Sequence, residues 1–193
     1  MKQLLKDNKW AATGIIVGVV LIVAACIFFW TGTGNESVEW DLTLIGKNGE
    51  QKVLSYDEVC NMPSEKAQGG FFTTVGVVNG PYKVKGVPVM DLCALVGGAT
   101  SSDMVLVSAV DGYSMMYDYE QLNGHIETYD PVTLHETPHN ELKVLLMFEQ
   151  DGKPISHNDG KPLRMAVVGD ADLLTEGHYW VKWVKEIEVV SLE

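Results

Sequence analysis

Val38-Glu-Trp-Asp-Leu-Thr-Leu-Ile45, followed by Gly46, Lys47-Asn48-Gly49-Glu50 and Gln51-Lys-Val-Leu54, decides the class of the fold. The first run alternates apolar and polar residues, the period of a half-buried strand. Asn48-Gly49 is the favoured pair for a tight hairpin, because both residues tolerate positive φ. The last run is then the returning strand. Ser55-Tyr-Asp-Glu58 follows at capping-box spacing, so a short helix runs from there to about Met62, before Pro63.

The same reasoning extends along the chain. Phe71–Val78 is rich in Phe, Thr and Val and reads as a strand, turned by Asn79-Gly80-Pro81. Tyr82–Gly86 returns, Pro88 opens a helix through about Val96, and Gly97-Gly98 stop it. Val105–Val110 and Tyr113–Asp118 pair across Asp111-Gly112. His125–Glu141 has no clean period and reads as loop. Val144–Glu149, Leu163–Val168 and Trp180–Val190 complete the strands. The expected class is α+β, a mixed or antiparallel sheet with short helices.

Upstream of this body the chemistry changes. Ala11–Trp30 holds twenty residues without a charge, which at helical rise spans about 30 Å, the bilayer's hydrocarbon thickness. Trp10 and Trp30 bracket it, and Lys2, Lys6 and Lys9 all precede it. The positive-inside rule then predicts a cytoplasmic segment 1–9, a transmembrane anchor 10–30, a linker 31–36 and an exterior domain 37–193. The expected location is the cell membrane, single-pass, with the C-terminal domain extracytoplasmic. A cleaved signal peptide is the rival, and Val23-Ala24-Ala25-Cys26 resembles a lipobox, which leaves lipidation of Cys26 open.

Charge excludes one class of partner. The 193 residues carry 14 Lys+Arg against 26 Asp+Glu, a net −12. Residues 1–34 hold three lysines and Asp7, so the remainder has 11 basic and 25 acidic side chains, or −14. With Arg164 as its single arginine, the chain has no basic face for nucleic acid. The membrane is the expected partner through residues 10–30. An exterior or membrane protein partner stays open, and a small-molecule ligand is unidentified.

Three stretches in order carry a resemblance: Lys85-Gly-Val-Pro-Val-Met-Asp-Leu92, Val107-Ser-Ala-Val-Asp-Gly-Tyr113, and Gly160-Lys-Pro-Leu-Arg-Met-Ala-Val-Val-Gly169 with Val181-Lys-Trp-Val-Lys-Glu-Ile-Glu-Val189. Together they resemble the molybdopterin-binding domain of the sulfite oxidase family, over roughly residues 37–190. The resemblance implies a molybdenum–pterin cofactor and redox chemistry on a small oxo-species. Residue by residue, it implies cofactor contacts from Arg164 of the Pro-Leu-Arg strand and Lys182 of Lys-Trp. His178 is a candidate facing the pocket, and Tyr113 is the candidate catalytic residue.

Two departures qualify this. The family's molybdenum ligand is a cysteine about twelve residues before the glycine matching Gly86, and that count lands on Thr74, whose hydroxyl cannot supply a soft thiolate. The loop after Gly169 carries Asp170, Asp172 and Glu176, where an anionic cofactor would want free amides and cations. Molybdopterin is therefore expected only by resemblance, and no metal ligand is assigned. Two functions of different class follow: a binding or interaction module on this fold without thiolate-bound molybdenum, or a molybdopterin-dependent oxidoreductase.

His135-Glu136-Thr137-Pro138-His139 matches the zinc-protease pattern literally, but Pro138 disfavours the helix that would put both imidazoles on one face. Cys60 and Cys93 sit beside apolar residues in short expected helices and read as buried structural thiols, with a disulfide between them left open for an exterior domain.

Overall fold

The computed structural model describes residues 38–169 and 172–192. The expected cytoplasmic segment and anchor lie outside these residues, as do Cys26 and Asp170. Among the described residues no helix is long and apolar enough to cross a membrane.

The first hairpin forms as its sequence dictates. β1 (Asp41–Ile45) and β2 (Gln51–Ser55) pair antiparallel, with Gly49 at φ +78° in the turn. Ser55 then caps the helix Tyr56–Asn61: its Oγ accepts from Glu58 N at 3.3 Å, and its own N–H donates to Glu58 Oε2 at 2.8 Å.

The second hairpin departs from the sequence reading. β3 is Glu65–Phe72 and β4 is Val78–Pro88, so Thr73–Val77 is the turn rather than strand. Gly76 N–H donates to Thr73 O at 2.8 Å and Val77 N–H to Thr73 Oγ1 at 3.1 Å, which closes the turn. Glu65–Gly70 is poor in β-forming residues, yet it is strand because β4 pairs along it. Asn79-Gly80-Pro81 lies inside β4, where the register with β3 shifts.

The other strands are β5 (Asp103–Ala109), β6 (Ser114–Asp118), β7 (Lys143–Gln150), β8 (Lys153–Pro154), β9 (Arg164–Val168), β10 (Leu174–Glu176) and β11 (Val184–Ser191). Short helices Val89–Ala94 and Tyr119–Leu122 complete the set. The strands make two sheets. One runs β2-β1-β11-β5-β6, with β1 and β11 parallel; the other runs β10-β3-β4-β7-β8, with β9 also on β7 and β10 parallel to β3. The domain is thus mixed and sheet-dominated, with few short helices.

The second sheet is buried on both faces. Along β7, Val144, Leu146 and Phe148 enter the larger core, shared with the first sheet, while Leu145 and Met147 enter a smaller one. β9 divides likewise: Met165 and Val167 face the larger core, Ala166 and Val168 the smaller. Alternation therefore sends Arg164, at the start of β9, to the side of the small core, beside Phe71 and Trp180. That step positions the site.

Candidate functional site

Arg164 is 2% exposed and is the largest fully buried side chain among the described residues. Its guanidinium lies between two aromatic rings, 4.8 Å from the centroid of Phe71 and 5.4 Å from that of Trp180. Such cation–π contacts contribute about 0.5–2 kcal/mol each and do not replace a counter-charge. Its one hydrogen bond goes from Nη1 to the carbonyl of Asp159, at 3.2 Å. Nε has no partner among the described residues. Burial pushes the arginine's pKa down to about 10, against a smaller upward pull from Asp159 and Tyr82, so it stays charged at neutral pH.

Lys182 completes the cationic pair. Its Nζ donates to Asn158 O at 2.6 Å, and burial followed by the nearby Arg164 charge lowers its pKa. One short 3₁₀ turn, His157–Asp159, therefore presents carbonyls to both cations. The turn ends at Gly160 (φ +104°), where a Cβ would come within 2.9 Å of Lys182 Cβ, so only glycine lets the two segments approach. The next residue, Trp183, takes φ +52°, a backbone region costly for a bulky side chain. Its Nε1 donates to His157 O at 3.2 Å, which anchors that conformation to the same turn.

Arg164 and Lys182 line one cavity of about 380 Å³ with Phe71, Thr73, Asp111 and Tyr113. Tyr113 enters from the β5–β6 turn, its N–H donating to Asp111 Oδ1 at 3.0 Å and its hydroxyl to His178 O at 3.4 Å. His178 thus meets Tyr113 through its backbone. Its ring instead stacks on Tyr179 at 4.0 Å and pairs with Glu176 at 2.9 Å, and it does not line the cavity. Thr74 is exposed in the β3–β4 turn and does not line the cavity either; Thr73 and Phe71 do. Of the five candidate residues, Tyr113, Arg164 and Lys182 converge, while Thr74 and the His178 ring do not.

Phe71, Asp111, Trp180 and Trp183 were not legible as site residues. Asp111 bore only a turn signal, and Phe71 only a strand signal.

Among the described residues the cavity lining offers no thiolate, imidazole or second carboxylate beside Asp111. Cys93 is buried in its helix with its thiol pushed up to about 12 by burial, and Cys60, half-buried beside Tyr56, is also raised. Neither lines the cavity. Of the acidic loop's described carboxylates, Asp172 is exposed, and Glu176 is turned to His178 and Tyr129. The zinc-like pattern is not helical. His139 and Glu136 line a separate groove of about 720 Å³, and no group of three metal-capable side chains occurs among the described residues.

Comparison with known proteins meets this geometry. No curated protein matches the chain. Among solved structures it is similar to the sulfane dehydrogenase SoxCD from Paracoccus pantotrophus, with a TM-score of 0.59 at 16% identity, over 78% of this chain. The chain spans only 38% of that chain's length, and likeness at this identity concerns the fold. A family model described as oxidoreductase molybdopterin binding domain matches residues 31–193. By that match the chain belongs to the oxidoreductase molybdopterin-binding domain family.

Proposed function

We propose that this protein is a membrane-anchored, extracytoplasmic binding module of the molybdopterin-domain fold, which takes an anionic ligand at Arg164 and Lys182 without thiolate-bound molybdenum. One observation carries the reading: among the described residues, a buried guanidinium has one backbone acceptor, an unpartnered Nε and no carboxylate ion pair. A buried charge is costly unless paired and hydrogen-bonded, and an anion entering the cavity would supply both. The cations suit a phosphate, a sulfur oxyanion or the phosphate end of a pterin. The donor set does not suit molybdenum, because no cysteine lines the cavity among the described residues. The anchor rests on the charge-free run Ala11–Trp30 and the lysines before it.

The second reading is a molybdopterin-dependent oxidoreductase acting on a small oxo-species, favoured by the family match over residues 31–193. One purification separates the two. The full chain, in non-ionic detergent, is assayed for molybdenum and for fluorescent pterin released on denaturation, and its melting is followed in sulfate, phosphate and chloride at equal ionic strength. The module reading expects no stoichiometric metal, with a Tm that rises and saturates with sulfate or phosphate in the parent but not in Arg164→Met, since these anions raise Tm generally without binding. One molybdenum per chain replaces it with the enzyme reading. No anion-specific shift overturns the anion site.

A further inference from the structure

The segments that line the Arg164 cavity and its adjoining cleft carry a collar of exposed apolar side chains. Nine large hydrophobic residues are conspicuously exposed among those described, and five of them lie on these segments: Val75, Val77, Val78, Val110 and Tyr113. Val75, 81% exposed, and Val77 occupy the β3–β4 turn, and Val78 opens β4, between the cavity-lining Thr73 and Asn79. Tyr113 lines the cavity itself, and Val110 lines an adjoining cleft of about 480 Å³ that shares Asp111 and Trp183 with it. Singly exposed valines are ordinary on a protein surface, but several of them on the segments of one cavity are not. By contrast, the β1–β2 turn carries Lys47-Asn48-Gly49-Glu50, the polar tip expected of a solvated hairpin.

We propose that this collar docks on the surface of a neutral, zwitterionic bilayer, so that ligand reaches Arg164 from the membrane side. Three observations select lipid as the occupant. The described chain begins at Val38, which lines the same cleft as Val110. Residues 31–37, between the apolar run and Val38, can extend at most about 25 Å. On the anchor reading above, the chain length therefore limits how far Val38 can lie from the end of that run. Composition is the second: protein hot spots favour Trp, Tyr and Arg and are poor in Val, and four of the five collar residues are valines. Charge is the third. A body of −14 is repelled by anionic lipid, which leaves apolar insertion into a neutral surface as the attractive contact.

The test places an environment-sensitive fluorophore on Val77→Cys or on Val132→Cys in the full chain reconstituted in phosphatidylcholine vesicles. Unsubstituted protein sets the labelling background. Val132 is 88% exposed but outside the collar. Nitroxide-labelled phosphatidylcholine should quench the Val77 label at least several-fold more than the Val132 label, with no change on raising salt. Because both sites are exposed, folding is not at stake. In a second measurement, Val75→Asp with Val77→Asp should at least halve quenching of a label on Val110→Cys. Equal quenching at Val77 and Val132, or none at Val77, overturns the proposal, as would a protein partner needed before Val77 is quenched. Carbonate extraction keeps the readings apart. Release of the chain after Val77 quenching refutes the anchor and retains the docking face; retention of the chain with Val77 unquenched does the reverse.

Discussion

Two buried charges in this domain have opposite surroundings. Asp103, 3% exposed, has its Oδ2 fully engaged: it accepts from Thr100 N at 2.8 Å, Thr100 Oγ1 at 2.7 Å and Lys47 Nζ at 3.2 Å. Those hydrogen bonds, with the lysine, hold the Asp103 carboxyl below the usual carboxylate range. Arg164, equally buried, has one backbone acceptor and two aromatic rings. The first charge is complete within the fold and serves the fold. The second is incomplete, and the missing partner is what a binding site leaves to its ligand.

The sharpest way to break this contrast is Arg164→Met. It should lower affinity for sulfate or phosphate by about 100-fold or more, read by anion-dependent melting, since one side of a buried charge pair is lost. In the absence of anion its Tm should be equal to or above that of the parent, because an apolar residue of similar volume replaces an uncompensated charge. A marked fall in Tm would mean that Arg164 is as structurally committed as Asp103.

Asp103→Ala should do the opposite. It strips three hydrogen bonds to a carboxylate and should lower Tm by about 5–10 °C, with anion affinity unchanged. The pH dependence has a defined sign. The folded pKa lies below the unfolded value of about 3.9, so the stabilisation is fully present above that value and is lost as pH falls through the folded pKa. The Tm gap between parent and Asp103→Ala should therefore be widest above about pH 5 and close in stronger acid. A gap that widens in acid would contradict the assignment.

Phe71→Cys and Thr74→Cys make a third, smaller test. The first puts a thiol in the cavity beside Arg164; the second puts one in an exposed turn. A charged alkylating reagent should be slowed by bound sulfate at position 71, and not at position 74. Equal protection at both would move the cavity towards the turn. The smallest effect is expected from Lys182→Gln, about three- to tenfold in anion affinity, since Lys182 is half-buried and already bonded to Asn158 O.

How legible all this was depended on the range of the forces involved. The Asn48-Gly49 turn, the Ser55–Glu58 box, the stop at Gly97-Gly98 and the Asp111-Gly112 hairpin are each closed by atoms a few residues apart, and each stands where the residues place it. The capping box from Asp118 to Gln121 is as local, and its helix could have been read. β10 could not. Leu174–Glu176 is three residues long and is strand only because it runs parallel to Gly70–Phe72. The stretch 71–78 shows the same limit from the other side, for its β-forming residues were outweighed by a turn closed on Thr73.

The site lies beyond local rules altogether. Composition marked Arg164 as the single arginine of an acidic body, and the motif order that carried the family resemblance pointed to Arg164 and Lys182. Alternation along β9 further determines that Arg164 shares a face with Ala166 and Val168. It does not determine which residues meet that face. Phe71, Asp111, Arg164 and Lys182 come from four segments distant in sequence, and the pairing of β3, β4, β7 and β9, with the turn at 157–160, helps bring them to one cavity. A count along the chain led to Thr74; the register of β3 put Phe71 in the cavity instead. Local hydrogen bonds and side-chain period are written in neighbouring residues, whereas the company a buried charge keeps is decided by which strands pack.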